Sequence, residues 1–392
     1  MRRVTILGAT GSIGQNTLGL IRRGRASYEV VALTGGQNIA RLAADAREFG
    51  ARRAVTADPG KLDELRSALR GSGVETAAGP GAIIEAATMP ADWTMSAIVG
   101  AAGIAPSVAA AGQGGTLALA NKEALVAAGP LLIAEAGAAR TRVLPVDSEH
   151  SGIFQALAGE DIAAVERVII TASGGPFRDW PVSRLARATL QEALNHPNWA
   201  MGQRITIDSA SMFNKALELI ETKEFFDIDP EKIEVLVHPE SLVHALVGFC
   251  DGGLIAHLGP PDMRHAIGYA LNWPGRGKVP VPRLNLASIG QLRFEPPDEE
   301  RFPALRLARE TIRMGGLAGA ALNAAKEAAL DAFIAAEIGF PHMADIVEEV
   351  LTGISSEGSH KTAAITLDSV AEMDDLARKR AREAIAKMKQ RG

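Results

Sequence analysis

Near its start the chain reads Val4-Thr5-Ile6-Leu7-Gly8-Ala9-Thr10-Gly11-Ser12-Ile13-Gly14, a short apolar run followed by glycines spaced G-x-x-G-x-x-G. The apolar run predicts a buried strand, and a helical pattern follows the last glycine. Glycines at such a turn let the backbone approach a pyrophosphate, and the first helical turn offers N–H groups and the positive end of the helix dipole. The stretch predicts a dinucleotide-binding loop with Thr10, Gly11, Ser12 and Ile13 as contacts. The alternative is a tight turn without a ligand.

The alternation of short apolar runs and helical patterns continues to about residue 145. Further strands are predicted at 30–33, 54–56, 97–99, 116–120 and 142–144, and helices at 39–49 and 61–69. Strands that alternate with helices favour parallel pairing. The predicted fold class is therefore α/β, with a doubly wound, Rossmann-like nucleotide domain over residues 1–146.

The rest of the chain has a different pattern of predicted strands and helices. Strand patterns at 165–171, 205–207, 233–237, 245–249 and 253–257, with a helix at 213–222, predict an α+β connective catalytic domain over 147–272 with a mostly antiparallel sheet. A segment rich in Pro, Gly and basic residues predicts a linker over 273–300. Four helical patterns then predict a C-terminal helical bundle over 301–392. The basic residues of its last helix are interpreted as a solvated face rather than a nucleic-acid site.

Composition excludes several classes of protein. The 392 residues carry 41 Lys and Arg against 46 Asp and Glu, a net charge of −5 that provides no electrostatic footprint for nucleic acid or an anionic membrane. The one cysteine, Cys250, excludes a disulfide framework and cysteine-ligated metal sites. No export signal is apparent, and the uncharged stretch 93–121 is predicted to be a buried strand, loop and helix. We expect a cytoplasmic location.

The second strand is followed by Thr34-Gly35-Gly36-Gln37-Asn38, which contains no acidic residue. A site for NAD usually places Asp or Glu here to accept from the ribose 2′-OH, and an acid would repel a 2′-phosphate. The segment therefore favours NADP over NAD. Gly36, Gln37 and Asn38 are the candidate contacts.

Two acidic stretches predict a metal site. If residues 146–150 are extended, Asp147 and Glu149 point the same way and form a hard oxygen site suited to Mg²⁺ or Mn²⁺, although a surface acidic turn has the same pattern. On the predicted helix at 213–222, Asn214 and Lys215 lie one turn before Glu218, a third carboxylate. The alternative there is an ordinary Lys–Glu pair.

Hydroxyl-bearing turns and one loop complete the candidates. Ser173-Gly174-Gly175 follows a predicted strand and can present a hydroxyl and N–H groups to a phosphate. Asp208-Ser209-Ala210-Ser211 is interpreted as a helix start suited to an anion. Residues 195–202 put Trp199 on a loop, where it is either docked structurally or part of a lid that excludes water from a substrate.

Taken in order, these motifs resemble those of the 1-deoxy-D-xylulose 5-phosphate reductoisomerase family over nearly the whole chain. The stretches that carry the resemblance are 8–14, 121–123, 144–150, 173–177, 196–202, 208–218, 238–244 and 261–264. The resemblance implies a homodimeric enzyme that isomerises 1-deoxy-D-xylulose 5-phosphate by a retro-aldol/aldol rearrangement. Hydride transfer from NADPH then gives 2-C-methyl-D-erythritol 4-phosphate, an isoprenoid precursor of the non-mevalonate pathway. A divalent cation, Mg²⁺, Mn²⁺ or Co²⁺, is also implied.

The resemblance further implies a role for each matching residue. The implied metal ligands are Asp147, Glu149 and Glu218, which with Lys122 and His196 form the catalytic set. The implied substrate contacts are Lys122, Ser148, Glu149, Ser173, His196, Trp199, Ser209, Asn214, Lys215 and Glu218. Asn121, Glu123 and Gly202 join the cofactor contacts, residues 196–201 form the lid, and His238 borders the substrate. Gln37 stands where the family commonly has a cation.

Two other classes of protein share part of this pattern. Semialdehyde dehydrogenases combine a similar glycine loop with a substrate domain but need a nucleophilic cysteine. Cys250 lies in a strand-like run without a neighbouring base to activate it. An NADP-sensing or scaffold protein on the same fold would have little use for three carboxylates and a phosphate-binding turn.

Overall fold

The computed structural model describes residues 1–199 and 201–391, with the Arg391 side chain left out. Ala200, within the predicted lid, lies outside the described residues. The chain forms two compact units: unit 1 comprises Met1–Ala124, Leu131–Ser151 and Asp262–Val281, and unit 2 comprises Leu125–Pro130, Gly152–Pro261 and Pro282–Gly392. The predicted division into four parts stays a prediction.

Unit 1 is built around a seven-stranded sheet with the strand order β4-β3-β2-β1-β5-β6-β7, and all of its pairs are parallel. Its strands are β1 (Arg2–Leu7), β2 (Tyr28–Gly35), β3 (Arg53–Thr56), β4 (Glu75–Ala78), β5 (Trp93–Ser96), β6 (Thr116–Leu119) and β7 (Arg142–Pro145). The central strand β1 buries Val4, Ile6 and Leu7 completely. This sheet confirms the predicted α/β class.

Two details of this sheet differ from the expectation. The strand predicted at 97–99 is wrong: β5 ends at Ser96, and the next residues form the loop against which Gly8 packs. β4 was not predicted, because Glu75-Thr76-Ala77-Ala78 is short, lacks large apolar residues and lies at the sheet edge, where little of it is buried.

Unit 2 contains a four-stranded sheet with the order β11-β10-β8-β9. Its strands are β8 (Val165–Ala172), β9 (Ile233–Val237), β10 (Val243–Phe249) and β11 (Leu254–Leu258). β10 is antiparallel to both β8 and β11, while β8 and β9 are parallel. The sheet is mostly antiparallel, as predicted.

Helices connect many of the strands and dominate the C-terminal part of the chain. They are α1 (Ser12–Arg23), α2 (Ile39–Phe49), α3 (Leu62–Ala68), α4 (Pro80–Thr88), α5 (Ile104–Ala111), α6 (Lys122–Ala139), α7 (Ser148–Ala156), α8 (Val182–Leu185), α9 (Leu190–Ala193), α10 (Gln203–Ala210), α11 (Phe213–Phe226), α12 (Arg264–Asn272), α13 (Leu286–Ile289), α14 (Ala304–Met314), α15 (Ala318–Ile334), α16 (His342–Glu357) and α17 (Leu367–Arg391). Among the described residues, no helix is long and apolar enough to cross a bilayer.

The strand predicted at 205–207 is wrong, because those residues lie inside α10. Ile205 and Ile207 alternate with polar residues, which mimics the period of a strand. The structure instead buries Thr206, Ile207 and Ala210, a helical spacing. Consequently the stretch 208–211 is the end of a helix and not the helix start that the sequence suggested.

The C-terminal helices α14 to α17 form the expected bundle, in which α15 packs against α16 and α17. The apolar stripe of α17 is buried at Val370, Met373, Ala377, Ala381 and Ala384. Basic residues of this helix pair with acidic ones: Arg378 with Glu327, Arg380 with Glu357, Lys387 with Glu349 and Lys389 with Glu337. The last three pairs are at least partly solvated, which agrees with the interpretation of a solvated face, whereas the pair of Arg378 with Glu327 is largely buried.

Candidate active site

The loop between β1 and α1 depends on glycine for its shape. Gly8 has a φ of +83°, and a Cβ there would lie 2.5 Å from the Ala97 carbonyl oxygen. A Cβ on Gly14 would lie 2.4 Å from the Gly8 carbonyl oxygen. Thr34 anchors the loop, because its hydroxyl accepts a hydrogen bond of 2.9 Å from the Gly8 N–H.

The same loop leaves the start of α1 open to an anion. Gly11 is the N-cap of α1, and no side chain caps the helix. Gly11 and Ser12 are exposed, while Thr10 and Ile13 are half-buried. Backbone N–H groups in the first turn of a helix have no acceptors within the helix. The four predicted contacts therefore lie on the open side of a loop that has the shape a pyrophosphate needs.

An acidic residue lies beside Gln37, although the stretch 34–38 itself contains none. Asp58, just after β3, accepts a 2.9 Å hydrogen bond from the Gln37 amide, and this bond is the main reason that the pKa of Asp58 is lowered. Asn38 caps α2 by accepting from the Arg41 N–H at 3.1 Å. Arg41 in turn pairs with the buried Asp45 at 3.1 Å and supplies a cation on this helix.

Asn121 and Glu123 hold a neighbouring loop in place. The Asn121 amide donates to the carbonyl oxygens of Ile98 at 2.8 Å and Gly100 at 3.1 Å, and also to the Glu123 carboxylate at 2.8 Å. Glu123 accepts from the Gly100 N–H at 3.0 Å. Both side chains are buried and shape the loop around residues 98–100. Their predicted contact with the cofactor stays a prediction.

Asp147 and Glu149 lie at the start of α7. The expectation of an extended stretch is wrong, because β7 ends at Pro145 and α7 begins at Ser148. Carboxylate oxygens of Asp147 and Glu149 nevertheless lie within 4.8 Å of one another. Lys122 forms an ion pair with Asp147, and the Ser148 hydroxyl donates to Glu149 at 2.5 Å. Unit 1 thus brings together two carboxylates, a lysine and a serine.

Glu218 lies on α11 and is completely buried. Its two oxygens accept from the Asn214 amide, at 2.5 Å, and from the buried Lys215 ammonium. The Asn214 Oδ1 atom is also buried, yet it accepts no hydrogen bond among the described residues. A buried acceptor without a donor is costly. This helical turn is therefore suited to a ligand that supplies the missing donor or a positive charge.

The turn that carries Ser173 and the end of α10 that carries Ser209 pack together in unit 2. Gly175 has a φ of +65°, and a Cβ there would lie 2.9 Å from both the Ser209 carbonyl oxygen and the Ala210 Cα. The turn formed by Ser173-Gly174-Gly175 therefore packs directly on the end of α10. No residue larger than glycine fits this contact without displacing the turn.

His196 is neutral and its tautomer is fixed by its contacts. Its Nδ1 accepts from the backbone N–H groups of Asn198 at 3.2 Å and Trp199 at 3.0 Å. The proton therefore lies on Nε2, which is 2.9 Å from the Ser173 Oγ and donates to it. Burial lowers the pKa of His196 to about 4.

These bonds determine what the Ser173 hydroxyl can do. Its oxygen accepts from His196 and also from the Gly175 N–H at 3.1 Å. A hydroxyl oxygen accepts two hydrogen bonds and donates one. With both acceptor positions filled, Ser173 has its proton left to donate, which suits an anionic oxygen such as one of a phosphate.

The loop between α9 and α10 is held against the turn that follows β9. The Asn198 amide donates to the Pro239 carbonyl oxygen at 2.5 Å and to the Ser241 hydroxyl at 2.8 Å. The Trp199 ring is half-buried, with its centroid 6.2 Å from that of His244. Gly202 ends the loop as the exposed N-cap of α10.

His238 has a structural role in this turn. Its Nδ1 donates to the Arg293 carbonyl oxygen at 2.8 Å, and its Nε2 accepts from the Leu242 N–H at 3.1 Å. The ring stacks on Phe294 and is not exposed. Both ring nitrogens are therefore engaged within the protein, and the expectation that His238 borders the substrate stays a prediction.

Family models match the chain in three successive parts. One described as 1-deoxy-D-xylulose 5-phosphate reductoisomerase matches residues 4–129, and the C-terminal domain of the same enzyme matches residues 143–226. A DXP reductoisomerase C-terminal domain matches residues 258–380. The chain belongs to the 1-deoxy-D-xylulose 5-phosphate reductoisomerase family.

Individual members of this family match the chain over nearly its full length. The 1-deoxy-D-xylulose 5-phosphate reductoisomerase of Ruegeria pomeroyi is 65% identical over 387 residues, which cover 99% of this chain and 98% of the relative. The enzyme of Paracoccus denitrificans is 60% identical over 97% of this chain and 98% of its own. The family membership expected from the motifs is confirmed.

Solved structures of the reductoisomerase family have the same fold. The Zymomonas mobilis enzyme in complex with NADPH is 48% identical, covers 98% of this chain and 99% of its own, and superposes with a TM-score of 0.90. A DOX-P reductoisomerase in complex with NADPH, fosmidomycin and magnesium is 39% identical, covers both chains completely and has a TM-score of 0.95.

The sequence did not predict the contacts of several residues that shape the site. Thr34 anchors the glycine loop, and Asn198 joins the lid loop to the turn after β9. Asp208 pairs with Lys326, a residue 118 positions away. The sequence does signal Asn198, as a polar residue in a Pro-containing loop, but nothing in the local pattern connects Asp208 to Lys326.

Proposed function

We propose that the chain catalyses the NADPH-dependent conversion of 1-deoxy-D-xylulose 5-phosphate to 2-C-methyl-D-erythritol 4-phosphate with the help of a divalent cation. Its family membership supports the reaction. The observation in unit 2 that carries it is the Ser173 hydroxyl, whose filled acceptor positions leave it a donor, on a glycine turn packed against Ser209. This arrangement suits the phosphate of the substrate.

NADPH is proposed to bind along the carboxyl edge of the parallel sheet in unit 1. The pyrophosphate would face the loop of Thr10, Gly11, Ser12 and Ile13, where the glycines permit close approach. The 2′-phosphate would face Gly36, Gln37 and Asn38, with Arg41 as the cation of this region. When bound, NADPH supplies the hydride.

A divalent cation is proposed to bind Asp147, Glu149 and Glu218. Carboxylate oxygens are the donors that Mg²⁺ and Mn²⁺ prefer, and the buried, unsatisfied Asn214 Oδ1 beside Glu218 supports a missing ligand. When bound, the cation polarises the substrate carbonyl and stabilises negative charge on its oxygens. The residues around it, Lys122 and Ser148, would orient the substrate oxygens and carry protons.

The remaining residues are proposed to hold the substrate and exclude water. Ser173, Ser209, Asn214 and Lys215 would bind the phosphate, with Lys215 as its cation. His196 would keep the Ser173 proton directed to the phosphate, and Trp199 would cover the carbon skeleton. Because the phosphate is remote from the reacting carbons, its binding energy can be used to order the lid loop.

We also propose that the chain works as a cytoplasmic homodimer. β11 forms one edge of the sheet in unit 2, and Leu254 and Ile255 on it are 48% and 39% exposed. An apolar edge strand of this kind is a liability in a monomer and a suitable surface for pairing with a second copy.

The direct test is the consumption of NADPH when 1-deoxy-D-xylulose 5-phosphate is added to the purified protein. We expect substrate-dependent loss of NADPH absorbance, abolished by a chelator and restored by Mn²⁺, with 2-C-methyl-D-erythritol 4-phosphate as the product. NADPH binding without any turnover of this substrate would contradict the proposal and favour a sensing or scaffold role.

A further inference from the structure

Helix α10 links two parts of the proposed site within unit 2. Its first residues follow the lid loop, with Gly202 as the N-cap, and Ser209 lies near its last turn. The Ser173 turn rests on the same end of the helix, because Gly175 packs against the backbone of Ser209 and Ala210. A shift of α10 would therefore carry Ser209 with it and change the contact on which the Ser173 turn rests.

Two ion pairs fasten α10 to α15 of the C-terminal bundle. Arg204 pairs with Asp331 at 2.5 Å, and the two side chains are 37% and 58% exposed. Asp208 pairs with Lys326 at 3.0 Å, and here both side chains are nearly inaccessible, at 8% and 4% exposure. Arg204 and Asp208 are four residues apart and so lie on one face of α10.

The two pairs differ in what their loss would do. A solvated ion pair contributes little because water and salt screen it. Removing one partner of a buried pair leaves an uncompensated charge, which the structure relieves by moving. The Asp208–Lys326 pair is therefore the one that determines where the end of α10, and with it Ser209, is held.

We propose that Lys326 is a positioning residue for the substrate phosphate. Through Asp208 it holds the end of α10 so that the Ser209 and Ser173 hydroxyls present their protons to one anion. Lys326 acts through Asp208 and need not contact the substrate itself. This inference rests on the proposed function, because it assumes that the two serines bind a phosphate.

The test compares Lys326→Met with Arg378→Met. Arg378 pairs with Glu327, the next residue on α15, but it comes from α17 rather than α10. Both variants remove one cation from a largely buried pair of the bundle, so both should lower the Tm. Lys326→Met alone should also raise the KM for the sugar phosphate and the Kd for inorganic phosphate by about tenfold, the loss expected when about one hydrogen bond to the anion is weakened. The KM for NADPH should not change in either variant.

Two further variants keep the test decisive. Lys326→Arg retains the charge and should recover most of the affinity for inorganic phosphate. If Lys326→Met does not fold, the double variant Asp208→Asn/Lys326→Met avoids the lone buried charge, and we expect it to fold but to bind inorganic phosphate about tenfold more weakly. The inference would be overturned if a folded variant without Lys326 bound inorganic phosphate as tightly as the unaltered protein. It would also be overturned if Arg378→Met lost as much affinity for inorganic phosphate as Lys326→Met. If instead the unaltered protein neither binds phosphate nor turns over the substrate, the proposed function itself fails.

Discussion

At the scale of single residues, the contacts of His196 determine its chemistry. Two backbone N–H groups donate to Nδ1, so the Nε2 proton is committed to Ser173, and burial disfavours the imidazolium ion. A histidine in this state is suited to orienting a hydroxyl and not to exchanging protons at neutral pH. Protonation of Nδ1 would break both bonds from the lid loop.

The first prediction concerns the pH dependence of this contact. The pKa of His196 is lowered from 6.5 in the unfolded chain to about 4 in the folded one, so the unfolded state binds more protons between these values. The stabilisation that the neutral form gives is therefore complete above about pH 6.5 and is lost as the pH falls toward 4. An NMR titration of the His196 ring should show a midpoint near 4. A midpoint at or above 6.5 would contradict the assigned contacts.

The second prediction concerns the proposed metal ligands. Glu218→Gln and Asp147→Asn each replace an anionic donor with a weaker neutral one, so turnover should fall by orders of magnitude while NADPH still binds. Glu224→Gln is the matched control for Glu218, since Glu224 lies on the same helix and pairs with Lys223. We expect the control to retain near-normal turnover. Steady-state kinetics with Mn²⁺ and NADPH fluorescence titrations measure both quantities, and undiminished turnover in both ligand variants would refute the metal site.

At the scale of elements, the positions of the strands followed from sequence where the strands are apolar and buried. β1, β2, β8 and β9 are examples, because buried strands of a sheet read as continuous apolar runs. α10 did not follow, because Ile205 and Ile207 alternate like a strand and only the tertiary contacts select the helix. Because the segment is a helix and not a strand, Ser209 lies at the end of a helix instead of at the predicted helix start.

The site itself was predictable only in part. The residue types of Asp147, Glu149, Glu218, Ser173 and Ser209 were found from motifs, because each motif is local in sequence. The contact of His196 with Ser173 and the packing of Gly175 on α10 were not, because they join residues that lie 23 to 35 positions apart in the chain. Local patterns point to candidate groups for the chemistry but not to the neighbours that orient them.

The third prediction tests the contact between the Ser173 turn and α10. Gly175→Ala adds a Cβ only 2.9 Å from α10 backbone atoms at a φ of +65°, so it should both destabilise the protein and raise the KM for the sugar phosphate. Gly358→Ala is the control: it has a φ of +69° but meets no atom closer than 3.9 Å. The backbone penalty of about 1–2 kcal/mol is common to both variants. Only Gly175→Ala should change the KM, and an equal KM in the two variants would show that the contact does not matter for binding.

At the scale of the whole molecule, the fourth prediction concerns assembly. Ile255→Lys places a charge on the exposed edge strand β11, which should prevent a second copy from pairing there. Light scattering should show a dimer for the unaltered protein and a monomer for the variant. Val182→Lys is a suitable control, because Val182 is 65% exposed and lies on α8 rather than on β11. A variant that stays dimeric would place the dimer contact elsewhere.

The position of Cys250 gives a practical means to follow that assembly. It is the one cysteine of the chain, it is exposed, and it lies in the turn that joins β10 to β11. A maleimide spin label would therefore attach at a single place without any engineering of the sequence. If two copies pair through β11, dipolar spectroscopy on the labelled protein would record one short distance between the two nitroxides, and dilution with unlabelled subunits would erase it.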